Sequence, residues 1–153
     1  MDTRTAVAEL VFRSCLALDD KDFAGYLALC DEDFRYEVTA WSPEIRRSMS
    51  WLSHDKPELA TLFANLPRHN SDASLLTRHV TIGIVTPSPA ADVAQAISAL
   101  QVFRTGLDGG ATALFAVGKL FDTVALRGDA PRLLRREVRL DTRMLGYGHH
   151  IPF

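Results

Sequence analysis

The segments DVAQAISALQVFRT (residues 92–105), TALFAVGKLFDTVA (112–125) and RLLRREVRLDT (132–142) decide the fold. Each is long, carries β-branched or aromatic residues and lacks proline, which reads as strand. Asp108-Gly109-Gly110 and Gly128-Asp129 separate them, and such residues tolerate the positive φ that hairpin connections need. Three consecutive strands therefore form an antiparallel meander. The first two strands carry apolar residues at both parities: Val93, Ile97 and Phe103 on one face, Ala94, Leu100 and Val102 on the other. A strand that is apolar on both faces is covered on both, here by the chain's own helices on one side and by a second chain, or else by the chain's own loops, on the other. In the third strand Leu134, Val138 and Leu140 share a face with Arg136. A buried guanidinium needs an acidic partner, so Arg136 is expected to tie sheet to helix, to line a pocket or to bridge subunits.

Working outward, Val7, Leu10, Val11, Cys15 and Leu18 recur at helical steps from Thr3 to Leu18, with Asp2 or Thr3 as N-cap. Asp22 caps a second helix from Phe23 to Cys30, which Asp31-Glu32-Asp33 closes. The period then changes to two: Phe34, Tyr36 and Val38 alternate with Arg35, Glu37 and Thr39, a half-buried strand. A short strand is expected around Met49–Leu52. A third helix starts at Ser53 or Asp55, buries Leu59, Leu62, Phe63 and Leu66, and ends at Pro67. Arg68–Leu75 reads as a polar loop, Thr77–Val85 as a strand and residues 86–89 as a turn cluster. Helices in front and a meander behind make an α+β fold, one domain over residues 1–153.

The 153 residues carry a net charge of -2, so no strong positive field draws in nucleic acid or an acidic membrane surface. Fourteen of the seventeen basic residues are Arg, the cation favoured at interfaces. Apolar stretches such as Ala113–Gly118, with six residues, fall far short of the roughly 20 of a membrane-spanning helix. Cys15 and Cys30 each fall in a helical pattern and read as buried, reduced thiols of a cytoplasmic protein.

Rieske ligand pairs, a nucleophile elbow, a phosphate-binding loop, a dinucleotide fingerprint and Cys-x-x-Cys are all missing from the sequence. His69, Asp72 and His79 alone suggest a two-histidine-one-carboxylate metal set, and the same loop reads better as one that faces a partner. His149-His150 reads as a solvated or interface pair. Tyr36 and His79, with a carboxylate, would suit acid–base chemistry on a small ligand if they met inside the fold.

The order of segments resembles one family. Val7-Ala8-Glu9-Leu10, Leu16 to Phe23, and Tyr26 to Tyr36 are similar to the N-terminal half of the small (beta) subunits of Rieske non-haem-iron ring-hydroxylating oxygenases. Thr77-Arg78-His79-Val80 resembles that family's strand after the third helix, and Arg135 to Asp141, with Leu145, its last strand. The resemblance implies a cone-shaped fold of the NTF2-like (cystatin-like) type, a curved antiparallel sheet wrapped around about three helices from the N-terminal half. It implies a non-catalytic subunit, without cofactor or metal of its own, in an NAD(P)H-dependent hetero-hexamer containing a trimer of small subunits. The large (alpha) subunit would carry the Rieske [2Fe–2S] cluster and the mononuclear iron. Val38-Thr39-Ala40-Trp41, Ser53-His54-Asp55-Lys56 and Leu66 to Asp72 depart from the usual pattern and point to the outlying methanesulfonate-monooxygenase-like group. On this reading Arg46, Arg47, Trp51, His69, Asn70, Asp72, Arg78, Arg136 and the tail Ile151-Pro152-Phe153 are interface candidates. The alternative is a free-standing enzyme of the same fold, a dehydratase, isomerase or cyclase, working with Tyr36 and His79 in the cone.

Overall fold

Two aspartates start the helical part of the chain. The Asp2 side chain accepts the Thr5 N–H at 2.9 Å and opens α1 (Thr3–Asp19); Asp22 accepts the Gly25 N–H at 2.9 Å and opens α2 (Phe23–Ala28). The third helix, α3 (Lys56–His69), has a reciprocal cap: Glu58 N–H donates to Asp55 and Asp55 N–H donates to the Glu58 carboxylate, at 2.9 and 3.0 Å. These elements belong to a computed structural model that describes residues 1–69, 74–143 and 152–153, with backbone alone over 67–69.

Six strands complete the fold: β1 (Cys30–Ser42), β2 (Arg47–Asp55), β3 (Leu75–Ser88), β4 (Val93–Thr105), β5 (Thr112–Ala125) and β6 (Arg132–Leu140). They form one curved sheet in the order β2-β1-β6-β5-β4-β3. Gly109 and Gly128 take φ of 75° and 83° in the turns between the meander strands. A Cβ at Gly118 would collide with the Arg139 carbonyl, so only glycine lets β5 and β6 approach there. The even-numbered residues 94 to 102 and 116 to 124 of β4 and β5 are buried on the inner face. Helix α1 lies on β3 and β4, and α3 on β1 and β2. Phe23 stacks on Phe63 at 4.4 Å and joins α2 to α3.

Several boundaries differ from the sequence reading. Helix α2 stops at Ala28, and Cys30 opens β1, because β6 claims this backbone: Leu133 N–H donates to the Leu29 carbonyl and Cys30 pairs with Leu133. This β1–β6 seam is parallel, whereas the other seams of the sheet are antiparallel. Pro67 does not end α3, whose backbone runs on to His69; a proline costs one hydrogen bond but its φ is helical. Thr86-Pro87-Ser88 belongs to β3, an edge strand where proline is tolerated, and the turn falls at Pro89–Ala91 with Asp92 left-handed. In β6 an extra residue at Leu134 shifts the register against β5, so Leu133, and not Leu134, is fully buried.

Candidate functional site

The inner face of the sheet places two buried arginines and a tyrosine where a cone-pocket enzyme would work. Arg136 on β6 is fully buried and faces Asp122, its register partner on β5. Its Nε and Nη2 donate to the two Asp122 oxygens at 2.7 and 2.9 Å, and Nη1 donates to Ser14 Oγ of α1 at 3.0 Å. Burial works against the guanidinium charge, but Asp122 outweighs it and holds Arg136 protonated. The pair is bidentate and joins β6 to β5 within the sheet, whereas the expected salt bridge ran from sheet to helix; only the neutral hydrogen bond to Ser14 reaches α1. Arg136 has no exposed surface with which to bridge subunits.

Tyr36 on β1 is also fully buried, and burial pushes its phenol well above the usual range. Its Oη accepts the Phe153 N–H at 2.8 Å and lies 3.4 Å from the Phe153 carbonyl, to which it can donate. The Phe153 ring is 4% exposed and stacks near Phe115, with centroids 6.5 Å apart. Arg78 on β3 donates from Nη2 to the Pro152 carbonyl at 2.8 Å and from Nη1 to Asp19 at 2.8 Å. Asp19, the last residue of α1, also accepts the Arg78 backbone N–H. Burial raises the Asp19 carboxyl despite its arginine.

This geometry bears on three of the interface candidates and on the catalytic alternative. Arg78, Arg136 and Phe153 are engaged inside their own chain. His79 lies exposed on the outer face of β3, edge-on to Phe103 at 5.1 Å, while Tyr36 points inward. The two rings lie on opposite sides of the sheet and cannot share a substrate. Among the described residues no group of three or more His, Cys, Asp or Glu stands together as a metal site. Of the suggested set, His79 is on this outer face, the His69 side chain is not described, and Asp72, like Asn70, Ile151 and the His149-His150 pair, lies outside the described residues. Cys15 and Cys30 are free and buried; burial raises both thiols, that of Cys30 to about 12, so neither is a poised nucleophile.

The remaining candidates sit on the β1–β2 hairpin. Arg46 holds the left-handed position of its turn at φ 52°, Arg47 opens β2, and both are exposed. Trp51 is the extra residue of a bulge in β2, the edge strand, and is 36% exposed. Trp41 and Ile45 of the same hairpin are more than half exposed and were not singled out from sequence. Across the outer face, Ile84, Ile97 and Phe121 align in one register row that continues to Glu137 and Glu37. Arg139 lies over the Phe121 ring at 3.8 Å and donates to Glu137 at 3.1 Å. Thr39 donates to the same carboxylate at 2.8 Å. The outer sheet is thus an apolar strip at β3–β5 beside an Arg–Glu ladder on β6 and β1.

Comparisons at the level of sequence place the chain among known proteins. The profile of the family described as ring hydroxylating beta subunit matches residues 13–146. The chain belongs to this family. A beta-subunit relative, of the methanesulfonate monooxygenase hydroxylase from Methylosulfonomonas methylovora, is 38% identical over 99% of this chain and 87% of its own length. The 2-aminobenzenesulfonate 2,3-dioxygenase beta subunit from Alcaligenes sp is 33% identical over 99% of both chains. The beta subunit of a provisionally assigned aromatic-ring-hydroxylating dioxygenase from Novosphingobium aromaticivorans superposes with a TM-score of 0.84, covering 98% of this chain and 96% of that one at 24% identity, a likeness of fold. This oxygenase beta subunit thus has the NTF2-like architecture that its segment order implies: a six-stranded curved sheet with three helices.

Proposed function

We propose that this beta subunit acts as one domain, 1–153, that supports the large (alpha) subunit of an oxygenase and takes no catalytic step itself. The observation that carries this reading is that, among the described residues, the charged and phenolic groups of the inner face are engaged with their own chain. Tyr36 binds the Phe153 main chain, Arg78 binds Asp19 and the Pro152 carbonyl, and Arg136 binds Asp122, all within the chain, while the exposed large aromatics Trp41 and Trp51 sit outside.

In this reading the large subunit holds the Rieske [2Fe–2S] cluster and the mononuclear iron, and NAD(P)H supplies the electrons through a separate reductase. Three small and three large subunits form a cytoplasmic hetero-hexamer. The apolar strip Ile84–Ile97–Phe121 with its Arg–Glu ladder would pack small subunits together, and Arg46, Arg47, Trp41 and Trp51 would meet a neighbouring subunit. Both curated relatives take their names from sulfonates, which favours a small organic sulfonate as the substrate of the complex. The test is turnover of methanesulfonate and 2-aminobenzenesulfonate by the large subunit and reductase, with and without this chain. Turnover that needs the chain but is unchanged by Tyr36→Phe supports the reading. Turnover by the chain alone would overturn it.

A further inference from the structure

Pro152 and Phe153 meet the fold through the peptide group that joins them, the Phe153 ring and a longer contact of the Phe153 main-chain oxygen, 3.4 Å from Tyr36 Oη. The amide carbonyl of that group accepts from Arg78 Nη2 at 2.8 Å, and its N–H donates to Tyr36 Oη at 2.8 Å. The ring attached two carbons beyond the nitrogen packs near Phe115, at 25° between planes. Every polar atom of the amide is therefore paired, and the aryl group is covered; Pro152 and Phe153 are both buried.

The groups that make these contacts are fixed by other parts of the fold. Asp19 holds Arg78 through both its backbone N–H and its guanidinium. Tyr36 sits between β2 and β6, in register with His54 and Arg136, and packs against Phe34. Arg104 lies over the Phe115 ring at 5.3 Å. The buried Arg78 Nε–H has no acceptor among the described residues, so this guanidinium is not saturated by the tail. A wall whose donors and acceptors are set in advance binds without first having to be ordered.

We infer that the inner face carries a binding site for an N-acyl phenethylamine group, and that the chain's own Pro152–Phe153 is its resident ligand. Arg78 recognises the acyl oxygen, Tyr36 the amide N–H, and Phe115 the aryl ring. This goes beyond the assembly role and does not depend on it, since the site would exist in the chain whatever its partners.

The experiment vacates the site in the 153-residue chain with Pro152→Gly/Phe153→Gly and adds N-acetylphenethylamine. The expected result is a rise in melting midpoint of about 3–6 °C at roughly ten times the dissociation constant, with none in the unsubstituted chain. Adding Tyr36→Phe to the vacated chain should weaken the probe by about 2- to 10-fold, one neutral hydrogen bond. If the vacated chain does not fold alone, recovery of folded protein on refolding with the probe is the readout, and failure to recover counts against the site. Phe153→Ala with toluene isolates the ring subsite, because dry apolar cavities accept such molecules. No probe-dependent shift in either variant, or an equal shift in the unsubstituted chain, would overturn the inference.

Discussion

The two faces of this sheet treat the same residue type in opposite ways. On the inner face Arg136 and Arg78 are buried, and each has a carboxylate at 2.7–2.8 Å. On the outer face Arg135 and Arg139 are about half exposed and lie beside Glu37 and Glu137 at 3.5 and 3.1 Å. The inner pairs specify how the chain closes on itself. The outer pairs remain in contact with water, contribute little to stability as isolated pairs, and are available to a neighbour. What separates the faces is the environment of the charge, since sequence spacing alone gives both the same alternating pattern.

The comparison breaks first if the inner pair is broken. Asp122→Ala leaves the Arg136 guanidinium buried beside Ser14 alone and should cost about 3–5 kcal/mol in chemical denaturation. Asp122→Leu combined with Arg136→Met should recover most of that loss, because the charge leaves with its partner. Phe153→Ala removes a buried ring and should cost about 3 kcal/mol by the same measurement.

The outer face should respond in assembly instead. Trp51→Ala is expected to weaken association by about 2 kcal/mol, measured by sedimentation at a series of concentrations, with less than ~1 kcal/mol lost from the isolated fold. Equal losses of fold and assembly would erase the distinction between the faces. The smallest effect concerns Glu137. Burial tends to raise its carboxyl, but hydrogen bonds from Arg139 and Thr39 outweigh this and hold it below the usual range. A lowered carboxylate contributes stability above its unfolded pKa and loses it as pH falls through the folded value. The chain should therefore lose stability below about pH 4.5, the ordinary carboxylate value, and Glu137→Gln should flatten that part of the profile in acid titrations.

Much of this architecture was legible in the chain. The caps at Asp2 and Asp22, the strand 112–125 and the glycine turns follow from local chemistry that tertiary structure did not override. The need of Arg136 for an acid was legible too, but not that the acid would be Asp122, since strand parity cannot name a cross-strand partner. The parallel β1–β6 seam was hidden because it joins segments about a hundred residues apart, and it also explains why α2 ends early. The bulges at Leu134 and Trp51 shift the alternation by one residue, and no local signal marks them. The position of Phe153 was hidden for a different reason. An apolar tail has the same composition whether it docks on a neighbour or on its own fold, and only the Tyr36 and Arg78 contacts distinguish the two.

We propose that this chain, its inner arginines held within its own fold, works through its outer surface as part of an oxygenase. The most direct test is native mass spectrometry and a visible spectrum of the tagged chain purified from the cells that make it. The account predicts a coloured assembly in which this 16.9-kDa chain is accompanied by a larger subunit bearing a [2Fe–2S] spectrum, and which dissociates more readily with Trp51→Ala. A colourless assembly of this chain alone, unchanged by Trp51→Ala, would contradict it.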